Sequence, residues 1–167
     1  MIRASAPLEI TEERLQLLSG MAVFGALEPD TLRFLLSRAQ VVSVPAGGYF
    51  VQQDEEGDAA YALEHGKVVF IKHFEGQDYR MRILRAGECF GEMALIGLFP
   101  RSGSVRAMAD SHAIRISYNV LCDLYDLDPR QYTTIVMNMA RDLSRRLRDS
   151  DDRLVRYLAA QRRRAPR

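Results

Sequence analysis

One segment, GECFGEMALIGLFPRSGSVRA at 87–107, gathers the residue types needed to hold a small anion: Gly91, Glu92, Arg101 and Ser102. EMALIG consists of helix formers, so a short helix is expected to begin at Gly91 or Glu92. The first N–H groups of such a helix lack intrahelical partners and, with the helix dipole, favour a phosphate. Gly91 lets a ligand approach the backbone closely. The planar fork of Arg101 suits two oxygens of one phosphate and supplies the charge that amides lack, and Ser102 adds a hydroxyl donor. Glu92 only accepts, a poor neighbour for an anion unless it takes a hydrogen bond from a neutral hydroxyl such as a ribose's. Phosphate plus sugar hydroxyl describes a nucleotide.

The elements that must position these groups are legible in outline. The chain has 167 residues, 47% of them hydrophobic, enough for one real core and too many for a disordered chain. TEERLQLLSG at 11–20 has a capping Thr, two early Glu and Leu15 and Leu18 one turn apart, which predicts a short amphipathic helix. Leu32, Leu35 and Leu36 after Pro29 predict a second, so residues 1–40 are expected to be helical. From Val41 to Ser117 short β-rich runs alternate with turn clusters such as PAGG, DEEGD and FEGQD, the pattern of a rolled antiparallel sheet. After Pro129 a stretch free of Pro and Gly to about Gln161 places Tyr132, Val136, Met139, Leu143, Leu147, Leu154 and Leu158 at three- or four-residue steps or their multiples. That long helix, 129–161, is expected to form the seam of a homodimer or, as the alternative, a lid on its own barrel.

FGEMALIGLFPRSGSVRA resembles the phosphate-binding cassette of cyclic nucleotide-binding domains, and the similarity extends from the turn glycines Gly47 and Gly66 through GKVVFIK and LRAGECFGE to the helix after Pro129. The order of elements is that of the ligand domain of the catabolite activator family. The resemblance implies an α+β, mainly β fold: a double-stranded β-helix, or jelly-roll barrel, over 41–128 with N-terminal helices and a long C-terminal helix. It implies that Arg101 pairs with the cyclic phosphate, that Glu92 takes the ribose 2′-hydroxyl, and that the amides of Gly91, Met93 and Ala94 with the Ser102 hydroxyl complete the cradle. Val69, Met81 and Leu84 would line the base and sugar side. The chain departs from the family pattern at Gln53 and Asp54, where a Gly usually precedes the acidic residue, and at Gly103, usually Ala. Aligned from Pro129, it presents Arg146 and Leu147 to the base where activators present small hydroxyl residues.

The expected function is therefore a non-catalytic regulatory domain that binds a cyclic nucleotide, cyclic AMP before cyclic GMP, and signals through its C-terminal helix to a downstream protein. The alternatives are a ligand-free scaffold, in which Arg101 and Glu92 form a structural ion pair closing a barrel loop, and a cyclic dinucleotide sensor. His65, His73 and His112 lack metal-ligand spacing, so no metal is expected. Cys89 and Cys122 have no CxxC partner and read as reduced thiols, and no apolar run suits a membrane span, so a cytoplasmic protein is expected. Activators of this kind continue into a DNA-reading helix-turn-helix, for which residues up to Arg167 leave no room, so DNA contact is not expected. Residues 141–167 hold ten Arg against four Asp, and the basic tail at 162–167 could dock an acidic surface.

Overall fold

The computed structural model describes residues 3–164, with side chains for 8–162. The elements run β1 (Arg3–Pro7), α1 (Glu12–Gly20), α2 (Pro29–Arg38), β2 (Gln40–Val44), β3 (Tyr49–Val51), β4 (Ala59–His65), β5 (Lys67–Phe74), β6 (Gln77–Arg85), β7 (Cys89–Phe90), α3 (Glu92–Gly97), β8 (Ser104–Ala107), β9 (Ser111–Ser117), α4 (Tyr118–Leu127) and α5 (Pro129–Arg164). One sheet has the order β1-β2-β9-β4-β7 and the other β3-β8-β5-β6, and the pairings are antiparallel. This is the jelly roll with flanking helices.

The five-stranded sheet is buried on both faces, and the two-residue period of its strands divides the core in two. Ala59, Tyr61 and Leu63 of β4, Phe90 of β7 and Ala113 of β9 face the four-stranded sheet, where they meet Phe50, Val68, Leu84 and Val105. Ala60 and Ala62 of β4, Cys89 of β7 and Ile114 and Ile116 of β9 face the helices. That second core takes Leu15 and Leu18 from α1, Leu35 and Leu36 from α2, Leu95 from α3, Leu124 from α4 and Ile135 and Met139 from α5. The cassette helix α3 and the first half of α5 thus share one apolar layer.

Local chemistry explains the helix starts. Thr11 caps α1 by accepting from the Arg14 amide (3.3 Å). Asp128 caps α5, its Oδ1 accepting from the amides of Arg130 (2.9 Å) and Gln131 (3.1 Å), with Pro129 at the first helical position. Three features differ from expectation. The N-terminal segment, expected to be helical, opens with strand β1, which exists by pairing with β2 rather than by any alternation of its own. Helix α4 follows the last strand directly, with Val120, Leu121 and Leu124 buried on one face. Helix α5 runs unbroken to Arg164 because QRRR continues a favourable helical stretch; of the basic tail, 165–167 lie outside the described residues.

The apolar stripe of α5 serves two purposes. Its first half is a lid: Ile135 and Met139 are buried and Tyr132 packs against them. Asn138 Nδ2 donates to the carbonyls of Val23 (3.3 Å) and Gly25 (2.7 Å), tying this half to the turn between α1 and α2. Its second half lies open, with Leu147, Leu154 and Leu158 64%, 56% and 50% exposed.

Candidate functional site

Strand β7 delivers the chain to Gly91, which caps α3 in the left-handed region at φ +84°. A Cβ there would lie 2.8 Å from Arg101 Nη1 and 3.1 Å from the Ala59 carbonyl, so both the backbone conformation and the space require glycine. Arg101 is held from two sides. Its amide donates to the Glu55 carbonyl (2.8 Å) and its carbonyl accepts from the Asp54 amide (2.9 Å), which pins the end of the cassette to the turn after β3. Asp54 occupies the left-handed region that aspartate tolerates, at φ +68°, so the missing family glycine leaves the turn intact.

The Arg101 side chain turns inward and is only 4% exposed. Nη1 donates to the carbonyls of Ala59 and Gly91, each at 2.9 Å, and the guanidinium lies 5.8 Å from the Tyr61 ring centre. Among the described residues no carboxylate is close enough to form an ion pair with it. Burial lowers its pKa below the ordinary arginine value, opposed by the negative charge of Asp58 and Glu55. A buried guanidinium without a counter-charge is costly.

Glu92, 1% exposed, does not pair with Arg101. Its partner is Arg146 of α5, whose Nη1 donates to Oε1. Arg146 Nη2 donates to the Cys89 carbonyl at 3.0 Å and lies 2.6 Å from Asp142 Oδ2, an ion-pair contact without hydrogen-bond alignment. Asp142, also buried, accepts from Arg145 through Oδ1, and Arg82 pairs with Glu88 beside them. Arg82, Glu88, Asp142, Arg145 and Arg146 border a small cleft of about 90 Å³ whose other wall is Met21, Ala22 and Val23. Glu92 Oε2 and Arg146 Nε are buried without a hydrogen-bond partner. Burial pushes the Glu92 carboxyl above its ordinary range and Asp142 adds to this, while Arg146 and Arg82 work against it. The same desolvation raises the Cys89 thiol, which is therefore a packed, protonated side chain.

The other predicted residues divide. Ala94 is buried and Met93 half exposed beside the cradle; the Ser102 hydroxyl lies 4.0 Å from Met93 Sδ, and the Ser102 carbonyl accepts from Lys72 Nζ at 2.5 Å. Leu84 pairs with Val68 and faces the core between the sheets. Val69, expected beside Leu84, belongs instead to the opposite face: the strand alternates, and Val69 pairs with Ile83 and Arg106. Met81, 52% exposed, falls at the irregularity between the Phe70–Arg82 and Ile71–Arg80 pairs. Gly103 replaces the usual Ala because a Cβ would lie 2.5 Å from the Phe70 ring and 2.6 Å from the Ile71 carbonyl. Arg146, expected opposite the base, is spent on Glu92.

Sequence reasoning did not reach Gly57 and Asp142. A Cβ on Gly57 would meet the Ala94 Cβ at 2.4 Å and Arg101 Cζ at 3.0 Å, so this glycine lets the loop before β4 close over the cassette. Asp142, four residues before Arg146, carried a readable signal: an acid–base pair one turn apart on a helix. The described residues contain no group of side chains suited to a metal ion, and no helix among them is long and apolar enough to cross a membrane.

A jelly roll carrying a glycine-capped helix, a buried arginine and a buried glutamate at one end matches a known family. The model of the cyclic nucleotide-binding domain covers residues 41–128, and the chain belongs to that family. It is 32% identical over 135 residues to a cyclic AMP receptor protein of Thermus thermophilus, spanning 80% of this chain and 61% of the receptor. It is 30% identical over 93 residues to a cAMP-dependent protein kinase regulatory subunit of Emericella nidulans, 56% of this chain and 22% of the subunit. Among solved structures, a cyclic nucleotide-binding domain from Methylobacillus flagellatus superposes with a TM-score of 0.78 at 25% identity, covering 87% of this chain and 83% of its own. The chain thus spans about three fifths or less of the curated relatives just named.

Proposed function

We propose that this chain is a non-catalytic regulatory module that binds cyclic AMP and passes its occupancy to a partner through α5. One observation carries the reading: the Arg101 guanidinium is buried beside Gly91 at the start of α3 with two carbonyl bonds and, among the described residues, no acidic partner. A cyclic phosphate supplies the missing counter-charge, with the amides of Gly91, Met93 and Ala94 and the Ser102 hydroxyl around it. Glu92 Oε2, buried and unpartnered, suits a ribose hydroxyl. Leu84 and Met81 border the base side, and Val69 is not among the contacts. Cyclic AMP is preferred over cyclic GMP because the Thermus relative is a cyclic AMP receptor protein, although cGMP-dependent kinases are also relatives. The open stripe Leu147, Leu154 and Leu158 is assigned to a second copy of the chain. Two free thiols suit the cytoplasm, and no nucleic-acid contact is proposed.

Isothermal titration of cyclic AMP and cyclic GMP into wild type and Arg101→Ala tests this. Dissociation constants of about 1 µM or tighter, near −8 kcal/mol, that weaken at least about 100-fold in the variant are expected. Silence from both nucleotides with a folded protein overturns it and favours the scaffold or cyclic dinucleotide alternatives.

A further inference from the structure

We propose that the groove between α3, α4 and α5 receives the far half of α5 from a second copy of this chain, so that the two long helices run antiparallel. The inference rests on the assignment of the open α5 stripe to a second copy, and adds the orientation of that copy and the surface it meets.

The groove, about 580 Å³, is walled by Ile96 and Leu98 at the end of α3, Tyr118 and Tyr125 of α4, and Val136 and Met139 of α5. Apart from Met139 these side chains are half-buried or exposed, an apolar surface that the chain itself leaves uncovered. The far half of α5 offers matching side chains on a rigid rod, with Leu154, Val155 and Leu158 exposed within little more than one turn. Spacing joins the two surfaces. Val136, Leu147 and Leu158 recur every eleven residues, three helical turns, and so lie along one line of the helix. Leu147 also stands next to the midpoint of Pro129–Arg164. When two copies cross antiparallel about Leu147, Leu158 of the second copy stands opposite Val136 and its Val155 opposite Met139, and the helices overlap along nearly their whole length. Charge selects this direction. Residues 141–146 carry net +2 and residues 148–153 net −1. Antiparallel crossing sets one segment against the other, whereas parallel pairing in register sets each against itself. At the rim of the groove Asp126 is exposed and forms no ion pair among the described residues. Arg162, equally exposed and unpaired among them, arrives from the second copy opposite Tyr132, which packs edge-on to Tyr125 beside that aspartate.

The test uses the full chain with Cys122→Ser, so that introduced thiols report alone. A nitroxide on Ala159→Cys is expected about 36 Å from its copy in the antiparallel pair, 24 residues at about 1.5 Å each, and about 20 Å or less in a parallel one. Under mild oxidation, Val136→Cys mixed with Leu158→Cys is expected to give a mixed covalent dimer, and Leu158→Cys alone is not. Exposed charges give a reading that disturbs no packing. Asp126→Arg and Arg162→Glu are each expected to weaken the dimer about three- to tenfold. Mixed together they restore it, because both contacts of the mixed pair then join opposite charges. A spin-label distance of about 20 Å or less, or a covalent dimer from Leu158→Cys alone, overturns the antiparallel groove and leaves the seam and the nucleotide reading standing. A monomeric wild type overturns groove and seam together, and the nucleotide titration, which needs neither, is unaffected.

Discussion

Replacing Gly57 by alanine is a small change with a calculable effect. The new Cβ would stand 2.4 Å from the Cβ of Ala94, where carbon atoms in contact sit about 3.5–4.0 Å apart. Arg101 can swing its end aside, but Ala94 is fixed to the backbone of α3, so the helix must retreat by about 1 Å. Overpacking of this kind costs about 1–3 kcal/mol. In a chain of this length each kcal/mol lowers Tm by roughly 2–4 °C, so Gly57→Ala is expected to lose about 2–12 °C. Under the proposed function, retreat of α3 would also carry the amides of Met93 and Ala94 away from the ligand phosphate, and cyclic AMP affinity is expected to fall with stability. Ala94→Gly alone costs about 1 kcal/mol of helix propensity. In the Gly57→Ala background the same substitution removes the clash and is expected to restore stability. Thermal and guanidinium unfolding of the four proteins gives the coupling directly, expected at about 1 kcal/mol or more in favour of the double variant. Strict additivity, or a Gly57→Ala protein melting within about 1 °C of wild type, refutes the packing argument.

Two further outcomes follow from the same geometry. The raised pKa of Glu92 means that the fold favours its protonated form, a stabilising contribution present at acid pH and lost as pH rises through the raised value. Relative to Glu92→Gln, the unliganded wild type should therefore gain stability as pH falls from neutral to about 4, and cyclic AMP affinity should fall over that window as the acceptor is protonated. Parallel melting and titration series across pH check both directions, and a flat difference between the proteins removes Glu92 as the titrating group. Changing Leu154 and Leu158 together to Glu should reduce the mass by light scattering from twice 19.0 kDa to 19.0 kDa. Because both side chains are at least half exposed in the single chain, its own stability should move by less than about 0.5 kcal/mol. A wild type that is already monomeric refutes the seam.

Local pattern revealed what local physics decides. The start of α3 at Gly91 and Glu92, the Leu spacing of α1 and α2 and the long period of α5 could be read because each depends on residues close in sequence. Arg101 and Glu92 were recognisable by type and spacing, yet their partners were not. The ion pair between them that the ligand-free alternative required is absent: Arg101 folds back on the carbonyls of Ala59 and Gly91 while Glu92 is met from α5. No spacing rule connects residues 92 and 146; their meeting depends on how α5 lies across the barrel. Val69 and Leu84 show the same limit at shorter range. Both are apolar residues of neighbouring strands, and only the register, Val68 with Leu84, places them on different faces. Strand β1 had no signal of its own because pairing with β2 alone makes it a strand.

The Arg146 contact also sets a mechanical ratio. Residues 147–164 extend α5 by 18 residues beyond it, about 27 Å at 1.5 Å per residue. A tilt of about 10° at that fulcrum moves the far end by about 5 Å, close to one turn of a helix. If the proposed dimer forms through this end of the helix, a tilt of that size would change which side chains of the second copy stand opposite Leu154 and Leu158.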